Sequence, residues 1–291
     1  SVTATNVSND SITVSVSASA GTNAIQTYYY SINNGSYQSS SSNTHTFSGL
    51  SAGTNYSIRV YVKDTNGVDS NVYTINAETE SVTYICNTGT NLATCIRSQY
   101  TSQGSNGIYY HTNSLANSAA DNSYRYAGAN PNNYVCFGSD AANCPSDNLY
   151  RIIGVFGNQV KLIKSTSYGN YFWSGSSSNT SNTWSSSTLN TETLNGTYLS
   201  GFSSTWQNKI ATTNWKVGGM AYSSINTAKQ YYDTEIGSSS SSTTYSAKIG
   251  LMYVSDYGFA ASPDYWTTEL SNYKLSKSSN WMNININEWT I

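Results

Sequence analysis

The side chains that could carry out catalysis are few in this sequence. It has 15 Asp and Glu, 13 Lys and Arg and two histidines among 291 residues. Two sets of carboxylates could flank a glycosidic bond, because hydrolysis of that bond uses a pair of acids. They are Asp233 with Glu235, and Asp256 with Asp264 and Glu269. Acids spread this thinly form such pairs by chance, and no G-x-S-x-G nucleophile motif is present. We predict that the chain is not an enzyme and has no catalytic residues.

Aromatic side chains in Gly- and Ser-rich surroundings are a stronger signal, because an exposed aromatic platform beside amides and carboxylates suits sugar binding. Two such stretches are "GNYFWSG" at 169–175 and "SPDYWTTE" at 262–269. The six predicted ligand-binding residues are Tyr171, Phe172, Trp173, Asp264, Tyr265 and Trp266. Each stretch could instead plug the core beneath a long loop, which is the commoner place for tryptophan.

Four cysteines form two closely spaced pairs, Cys86 with Cys95 and Cys136 with Cys144. Neither pair has C-x-x-C spacing, and two histidines are too few to complete a zinc site of the usual pattern. We predict two local disulfides in an exported protein, with free thiols and long-range pairing as the alternatives.

Calcium is the one cofactor that the sequence leaves open. Oxygen-bearing side chains gather around the second cysteine pair and in "YVSDYG", and hard oxygen ligands suit calcium. They are Asp140, Asn143, Asp147, Asn148 and Asp256. Asp and Asn in such loops more often cap turns through the local backbone, so we assign no metal site.

The composition argues against two classes of partner. Only 10% of the residues are charged, so no basic face is available to neutralise a phosphate backbone and we predict no nucleic-acid partner. No apolar run approaches the ~20 residues that cross a bilayer, so we expect no direct membrane insertion of this stretch. Its 26 tyrosines, among many Ser, Thr and Asn residues, are typical of recognition surfaces outside the cell. We expect an extracellular, cell-surface protein.

Residues 1–79 alternate apolar and polar side chains, as half-buried strands do. "SITVSVSA" puts alternate residues from Ile12 to Ala18 on one face. "TYYYSINNGSY" runs into a turn at Asn34–Gly35, and "NYSIRVYVKDTNG" ends in another at Asn66–Gly67. Short strands separated by such turns indicate an antiparallel sandwich.

Within this region, "FSGLSAGTNYSIRVYVKDTNGVDS" resembles the stretch from strand E to strand F of a fibronectin type III domain. Leu50, Gly53 and Tyr56 stand where that family has its leucine, glycine and corner tyrosine. The resemblance implies an N-terminal fibronectin type III β-sandwich over residues 1–79, in which the Tyr56 hydroxyl bonds to the upstream backbone. Such a domain usually serves as a spacer.

Residues 80–291 follow a different pattern, after a hinge predicted at "NAETESVTY", 76–84. "NLYRIIGVFGNQVKLIKS" predicts a central hairpin that turns at Gly157–Asn158. "NLATCIRSQYTS" predicts a short helix, and the apolar spacing in "TLNTETLNGTYLSGFSSTWQNKI", 188–210, predicts two short helices lying on the sheet. "WKVGGM" and "AKIGLMYVSDYGFA" predict further strands.

Residues 84–291 are similar, through "YRYAGANPNNYVCFGSD" and "IGLMYVSDYGFAASP", to a module at the end of large surface proteins of gut Firmicutes. The "LN..YL" helix and the late "EWTI" strand also resemble bacterial C-type-lectin-like modules. The resemblance implies a mainly β chain whose second domain, 80–291, is α+β and C-type-lectin-like, with short helices on a twisted antiparallel sheet. The sugar-selecting Glu-Pro-Asn and Trp-Asn-Asp triplets of calcium-dependent lectins are missing, and "NPN" at 130–132 is not a substitute for them.

The last stretch, "NWMNININEWTI" at 280–291, predicts a strand. Met282, Ile284 and Ile286 share one face, and the parity changes at Glu288. The similar module continues beyond this strand, so we expect the second domain to be incomplete here or to be completed by another chain.

Taken together, the sequence predicts a bacterial cell-surface module that binds a host or microbial surface glycan or protein through its second domain. The competing hypothesis is a structural stalk unit of a long surface protein that has no specific ligand.

Overall fold

The chain forms two compact units, Ser1–Thr83 and Tyr84–Ile291, and each has its own core. The structure, a computed structural model, describes residues 1–9, 11–50, 53–80, 86, 91–141, 144–175, 183–218, 226–237, 243–270, 279–284 and 290. No helix in these ranges has the length and apolarity needed to cross a membrane.

The first unit is a sandwich of two antiparallel sheets. Its strands are β1 (Val2–Val7), β2 (Ser11–Val16), β3 (Ile25–Ile32), β4 (Gln38–Ser40), β5 (Thr44–Ser48), β6 (Asn55–Asp64) and β7 (Tyr73–Glu78). One sheet has the order β1-β2-β5 and the other has the order β4-β3-β6-β7. Because this strand order is that of a fibronectin type III sandwich, the first unit has a fibronectin type III-like fold.

The core of the sandwich follows the alternation of the sequence. Ile12 and Val14 of β2 are fully buried, and Tyr30 of β3 and Ile58 of β6 pack in the same cluster. Tyr56 lies at the edge of this cluster. The buried faces predicted for β2, β3 and β6 are therefore confirmed, except at Ala18, which is exposed and lies beyond the end of β2.

Both predicted turns of the first unit are present, one of them a residue earlier than predicted. Left-handed backbone falls on Asn33 (φ 48°) and Asn34 (φ 59°) rather than on Asn34–Gly35. Asparagine tolerates this conformation because its short side chain can bond locally. At the second turn Gly67 has φ 82°, and the carboxylate of Asp64 accepts two backbone N–H groups of the turn.

The second unit combines strands with short helices. Its strands are β8 (Ile108–Tyr110), β9 (Tyr124–Tyr126), β10 (Tyr134–Cys136), β11 (Leu149–Phe156), β12 (Gln159–Lys164), β13 (Thr213–Val217) and β14 (Thr243–Ala247). Its helices are α1 (Leu92–Gln99), a π-helix (Leu189–Tyr198), α2 (Ser204–Gln207), α3 (Ala228–Glu235) and α4 (Val254–Ala260).

Strand β11 is the centre of the five-stranded sheet. It pairs antiparallel with β10, β9 and β12, and β9 also pairs with β8. The predicted β11–β12 hairpin is confirmed, and Ile152, Ile153 and Val155 are buried in it. Gly154 is required there, because a Cβ at this position would overlap the carbonyl oxygen of Tyr124 on β9. β13 and β14 form a separate hairpin.

The short helices are present as predicted. The first of the two helices in 188–210, the π-helix, packs against a different part of the unit than expected. Helix α1 begins at Asn91, whose side chain accepts the N–H of Thr94 at 3.0 Å. In the 188–210 stretch, Leu194 of the π-helix packs in a cluster with Trp184 and with Tyr245 of β14. The prediction that this helix packs on the central sheet is therefore wrong at Leu194. The side chain of Leu194 packs against the β13–β14 hairpin instead.

The strand predicted through "AKIGLMYVSDYGFA", 247–260, is wrong beyond Ala247, the last residue of β14, because Val254–Ala260 forms helix α4. The N–H of Tyr253 donates to the carboxylate of Asp256 at 2.9 Å, which caps the start of the helix. All seven helical residues are buried. The helix therefore has no exposed face, so its sequence lacks the regular alternation of buried apolar and exposed polar positions that marks a helix on the surface.

The strand predicted from residue 280 is also wrong where the chain is described. Asn280 forms a single bridge with Ala261, and Trp281 and Met282 lie in a turn. The turn is fixed by the Asn280 side chain, which accepts the N–H of Met282 at 2.9 Å. Both turn residues are buried. Residues 285–289 and 291, which carry the rest of that prediction, lie outside the described ranges.

Candidate functional site

Three neighbouring aromatic side chains are exposed in the segment after β12. The exposed fractions are 41% for Tyr168, 41% for Tyr171 and 59% for Phe172. The rings of Tyr168 and Tyr171 stack with 5.5 Å between centroids. Gly169 allows this, because it has φ +151° and a Cβ there would stand 2.9 Å from the Tyr171 ring. We call Tyr168, Tyr171 and Phe172 the aromatic loop surface.

The aromatic loop surface rests on regular secondary structure. Tyr198 of the π-helix meets the Tyr168 ring edge-on at 4.6 Å, and its hydroxyl hydrogen-bonds to that of Tyr150 on β11. Burial raises the pKa of both Tyr198 and Tyr150, so both phenols are neutral at physiological pH. A binding surface supported by a helix and a strand keeps its geometry better than a free loop does.

A cation and a carboxylate lie at the Tyr150 end of this support. The Lys164 ammonium donates to the backbone carbonyl of Asp147 at 2.7 Å and lies 5.4 Å from the centroid of the Tyr150 ring. Burial lowers the pKa of Lys164, and the nearby Asp147 carboxylate opposes this shift. A positive charge on Lys164 and a negative charge on Asp147 therefore lie near each other at this end of the support.

Trp173 does not share the exposure predicted for it. The chain turns inward after Phe172, and the Trp173 ring packs on Trp184 with 5.2 Å between centroids. Its carbonyl oxygen accepts the N–H of Leu189 at 3.1 Å. Trp173 is therefore a partly buried anchor of the aromatic loop rather than a member of its surface.

The second predicted stretch is divided between surface and core. Tyr265 is 41% exposed and Asp264 is exposed, but Trp266 is only 1% exposed. The Trp266 indole donates to the carbonyl of Ala261 at 3.0 Å, and its ring lies 5.5 Å from that of Phe259. The assignment of Trp266 to a ligand platform is wrong, because its ring fills the core beneath α4.

Three of the carboxylates that could have flanked a glycosidic bond are paired within the fold, and two are exposed. Asp233 pairs with Lys229 at 2.7 Å. Glu235 is buried and accepts the N–H groups of Val254 and Ser255, and burial raises its pKa to about 7. Asp256 is buried, whereas Asp264 and Glu269 are exposed. Among the described residues, Asp233, Glu235 and Asp256 therefore already have partners within the fold.

A buried charge network connects β9, β12 and α4. Arg125 lies between Asp121 at 2.8 Å and Asp256 at 3.3 Å, and Asp256 also pairs with Lys161. The Arg125 guanidinium stands 5.1 Å from the centroid of the Phe259 ring. Sequence reasoning missed this network, since Arg125 and Asp256 are 131 positions apart and neither belongs to a charge pattern.

The two predicted disulfides are present, Cys86–Cys95 and Cys136–Cys144. Of the side chains considered for calcium around the second disulfide, Asn148 bonds to the local backbone. The Asn148 amide donates to the carbonyl of Phe137 at 3.0 Å, and Asn143 lies outside the described residues. Among the described side chains, no three His, Cys, Asp or Glu converge on a common point.

The second unit also contains a cavity of about 410 Å³ that sequence reasoning did not assign. It lies where the end of α1 meets the segment that joins β9 to β10, and Asn130–Asn132 form part of its wall. The "NPN" sequence at 130–132, which does not replace the sugar-selecting triplets of calcium-dependent lectins, lies in this wall.

Comparisons with known proteins support neither a family nor an activity. No family model matches the chain, and no curated protein matches it. A Bacillus thuringiensis chitinase is 21% identical over 28% of this chain and 13% of its own, with a TM-score of 0.26. The fibronectin type III domain of human fibronectin type III domain containing protein 3 is 16% identical over 28% of this chain and 82% of its own, with a TM-score of 0.24. Fibronectin(III)-like modules of Clostridium thermocellum are 15% identical over 28% of this chain and 98% of their own, with a TM-score of 0.23.

Proposed function

We propose that the chain is part of a bacterial cell-surface protein whose second unit binds a host or microbial glycan at the aromatic loop surface. The first unit, with its fibronectin type III-like fold, acts as a spacer. The second unit is C-type-lectin-like in this proposal. Two disulfides accord with an oxidising, extracellular setting.

The observation that carries the proposal is the fixed exposure of Tyr168, Tyr171 and Phe172. Large apolar side chains that lie together and remain exposed often mark a binding site. The Tyr168–Tyr171 stack and the contact with Tyr198 hold the rings before a ligand arrives, which lowers the entropic cost of binding. A flat, uncharged surface of this kind suits the C–H face of a sugar ring.

A glycan array probed with the purified chain, with and without calcium, tests this proposal. We expect binding to a restricted set of glycans that is weakened by Tyr171→Ala and by Phe172→Ala. Tyr265→Ala is a matched control, because Tyr265 has the same exposed fraction as Tyr171, 41%, and lies in the other predicted stretch. We expect this control to bind like the unaltered chain.

Two results would contradict the proposal. Absence of binding to any glycan would favour the structural stalk unit instead. Binding that survives Tyr171→Ala and Phe172→Ala but is lost on Tyr265→Ala would move the site to residues 262–269.

A further inference from the structure

The buried ion pair of Lys161 and Asp256 places an amine against a carboxyl group inside the second unit. The Lys161 ammonium donates to Oδ2 of Asp256, so the carboxyl carbon lies one covalent bond beyond the hydrogen-bonded oxygen. The side chain of Asp256 is 1% exposed and that of Lys161 is 15% exposed. The two residues belong to β12 and α4 and are 95 positions apart. Two groups held in contact in this way have the proximity that favours a bond-forming step.

Aromatic rings surround the Lys161 amine. Its nitrogen lies 4.2 Å from the centroid of the Tyr253 ring and 5.2 Å from the centroid of the Trp215 ring. The Tyr253 hydroxyl has its own partner, because it accepts the backbone N–H of Lys216 at 2.8 Å. Burial lowers the pKa of Lys161, although the Asp256 carboxylate opposes this shift. The ammonium therefore loses its proton more readily than an ordinary lysine does, and the neutral amine is the nucleophilic form.

The other oxygen of the Asp256 carboxyl group faces a fixed positive charge. Arg125 is buried and donates to Oδ1 of Asp256 at 3.3 Å. The guanidinium is held in place by the Asp121 carboxylate at 2.8 Å and the Ser123 hydroxyl at 2.9 Å. When an amine attacks a carboxyl carbon, negative charge develops on the oxygen that does not leave. A buried cation aimed at that oxygen stabilises this charge, as the donors of an oxyanion hole do.

Glu235 is a third ionisable group beside the pair. It is buried, and its carboxylate accepts the N–H groups of Val254 and Ser255 at 3.0 and 3.1 Å, directly before Asp256 in the chain. Burial raises the pKa of Glu235 to about 7, and the charge of Asp256 adds to this shift. A carboxyl group with such a pKa can both take up and release a proton at neutral pH.

From this geometry we propose that Lys161 and Asp256 form an amide crosslink inside the second unit. The bond that forms joins Nζ of Lys161 to Cγ of Asp256, and the bond that breaks joins Cγ to Oδ2. Of the three protons on the Lys161 ammonium, one stays on the amide nitrogen and two leave with Oδ2 as a water molecule. Glu235 relays a proton from the nitrogen to the leaving oxygen. Oδ1 becomes the amide oxygen and still accepts from Arg125, and the reaction consumes no other reactant.

The crosslink joins β12 to α4 and closes a loop with a sequence separation of 95. A covalent bond across a loop restricts the unfolded chain, and this restriction grows with the length of the loop. The crosslink therefore raises the melting temperature of the second unit. Unlike the two disulfides, it persists in a reducing agent. It is independent of the glycan binding proposed for the aromatic loop surface.

Mass spectrometry of the purified, reduced chain tests this proposal. We expect an intact mass that is lower than the mass of the sequence by one water molecule. Proteolytic digestion should give a branched peptide that joins the segment containing Lys161 to the segment containing Asp256. Lys229 and Asp233 are an internal control, because they form an ion pair at 2.7 Å but their side chains are 39% and 42% exposed. Peptides that carry this exposed pair should have their full mass.

Lys161→Arg removes the amine but keeps a positive charge opposite Asp256. Because a guanidinium stays protonated and is not a nucleophile at neutral pH, this variant should have the full mass of its sequence. It should also melt at a lower temperature and, once reduced, migrate differently on a denaturing gel from the looped chain. Lys229→Arg, the same change in the exposed pair, should lose water like the unaltered chain.

Glu235→Gln tests the proton relay. The amide side chain cannot take up a proton at neutral pH, so a smaller fraction of this variant should carry the crosslink. Tryptophan fluorescence should show that the second unit is folded in the fraction that lacks it. Complete crosslinking of Glu235→Gln would overturn the role of Glu235.

Three results would overturn the crosslink itself. The first is the full mass of the sequence in a chain whose tryptophan fluorescence shows a folded second unit. The second is a loss of water that persists in Lys161→Arg. The third is a branched peptide that joins residues other than Lys161 and Asp256.

Discussion

The cores of the two units are built from different side chains. The first unit buries aliphatic residues such as Ile12 and Ile58 between its sheets. The second unit buries an arginine and an aspartate, Arg125 and Asp256, among its apolar residues. Stability in the first unit therefore depends mainly on apolar area removed from water, whereas in the second it depends also on charges staying paired.

The tryptophans allow the two units to be followed separately. All seven lie between positions 173 and 289, which is within the second unit. Tryptophan fluorescence therefore reports unfolding of the second unit, and a calorimetric transition without a fluorescence change belongs to the first.

The largest effect should follow Arg125→Met. This change leaves Asp121 and Asp256 without their guanidinium partner, and breaking a buried ion pair by removing one member costs about 3–5 kcal/mol. Urea unfolding followed by tryptophan fluorescence measures the loss.

Arg59→Met is the matched control for that change. Arg59 lies in the first unit, and its guanidinium contacts the Asn34 side chain at an exposed site. Its replacement should alter the free energy of unfolding by less than about 0.5 kcal/mol. If Arg125→Met cost no more than Arg59→Met, the contrast between the two cores would be wrong.

The next effect is a pH dependence that Glu235 gives to the second unit. Burial raises the pKa of Glu235 from 4.5 to about 7, so the folded state holds this proton more tightly than the unfolded state does. Its contribution is fully present below pH 4.5 and is lost as the pH rises to about 7, by about 3 kcal/mol at most.

Glu235→Gln isolates this contribution. The variant cannot ionise at this position, so it should lose less stability than the unaltered chain between pH 4.5 and pH 7. Parallel urea titrations at several pH values measure the difference. Identical pH profiles would show that Glu235 does not titrate in this range.

A somewhat smaller effect is expected from the disulfides. Each closes a short loop, with sequence separations of 9 and 8, and loops of this size stabilise a fold by about 2–3 kcal/mol in the chain-entropy model. The double variant Cys136→Ser with Cys144→Ser should lower the free energy of unfolding of the second unit, followed by tryptophan fluorescence, by this amount. The first unit contains no cysteine, so a shift of its calorimetric transition on reduction would contradict the separation of the two units.

The contrast between the cores of the two units also explains which parts of the fold could be predicted from the sequence. In the first unit the period-2 pattern from Ile12 to Val16 coincides with burial, so the strands could be read from the sequence. The turn at Asn33–Asn34 was placed one residue late, since Asn-Gly is usually the stronger turn signal and here two asparagines take the left-handed positions.

In the second unit, the period of the apolar residues did not predict the secondary structure of segments that are completely buried. The β11–β12 hairpin was predicted because β-branched residues flank its turn. Helix α4 could not be recognised from the sequence because all its residues are buried and no exposed polar face marks its period. Trp266 was assigned to the surface because the residues that cover it, such as His111 and Phe259, are not its sequence neighbours.

The candidate site was predicted only in part. Tyr171 and Phe172 are exposed as expected, but Tyr168 was overlooked, although "YGNY" contains the glycine that lets the two tyrosine rings stack. Trp173 could not be distinguished from its neighbours, because its contact with Trp184 depends on how a later segment folds back.

The most direct test of the proposed function is the affinity of a glycan identified on the array, measured by isothermal titration with the unaltered chain and with Tyr171→Ala. We predict that Tyr171→Ala weakens binding about threefold to tenfold, the energy of one aromatic contact, while Tyr265→Ala binds normally and the fluorescence-detected melting temperature of both variants is unchanged. An unchanged affinity in Tyr171→Ala, with the protein fully folded, would contradict the assignment of the site to the aromatic loop surface.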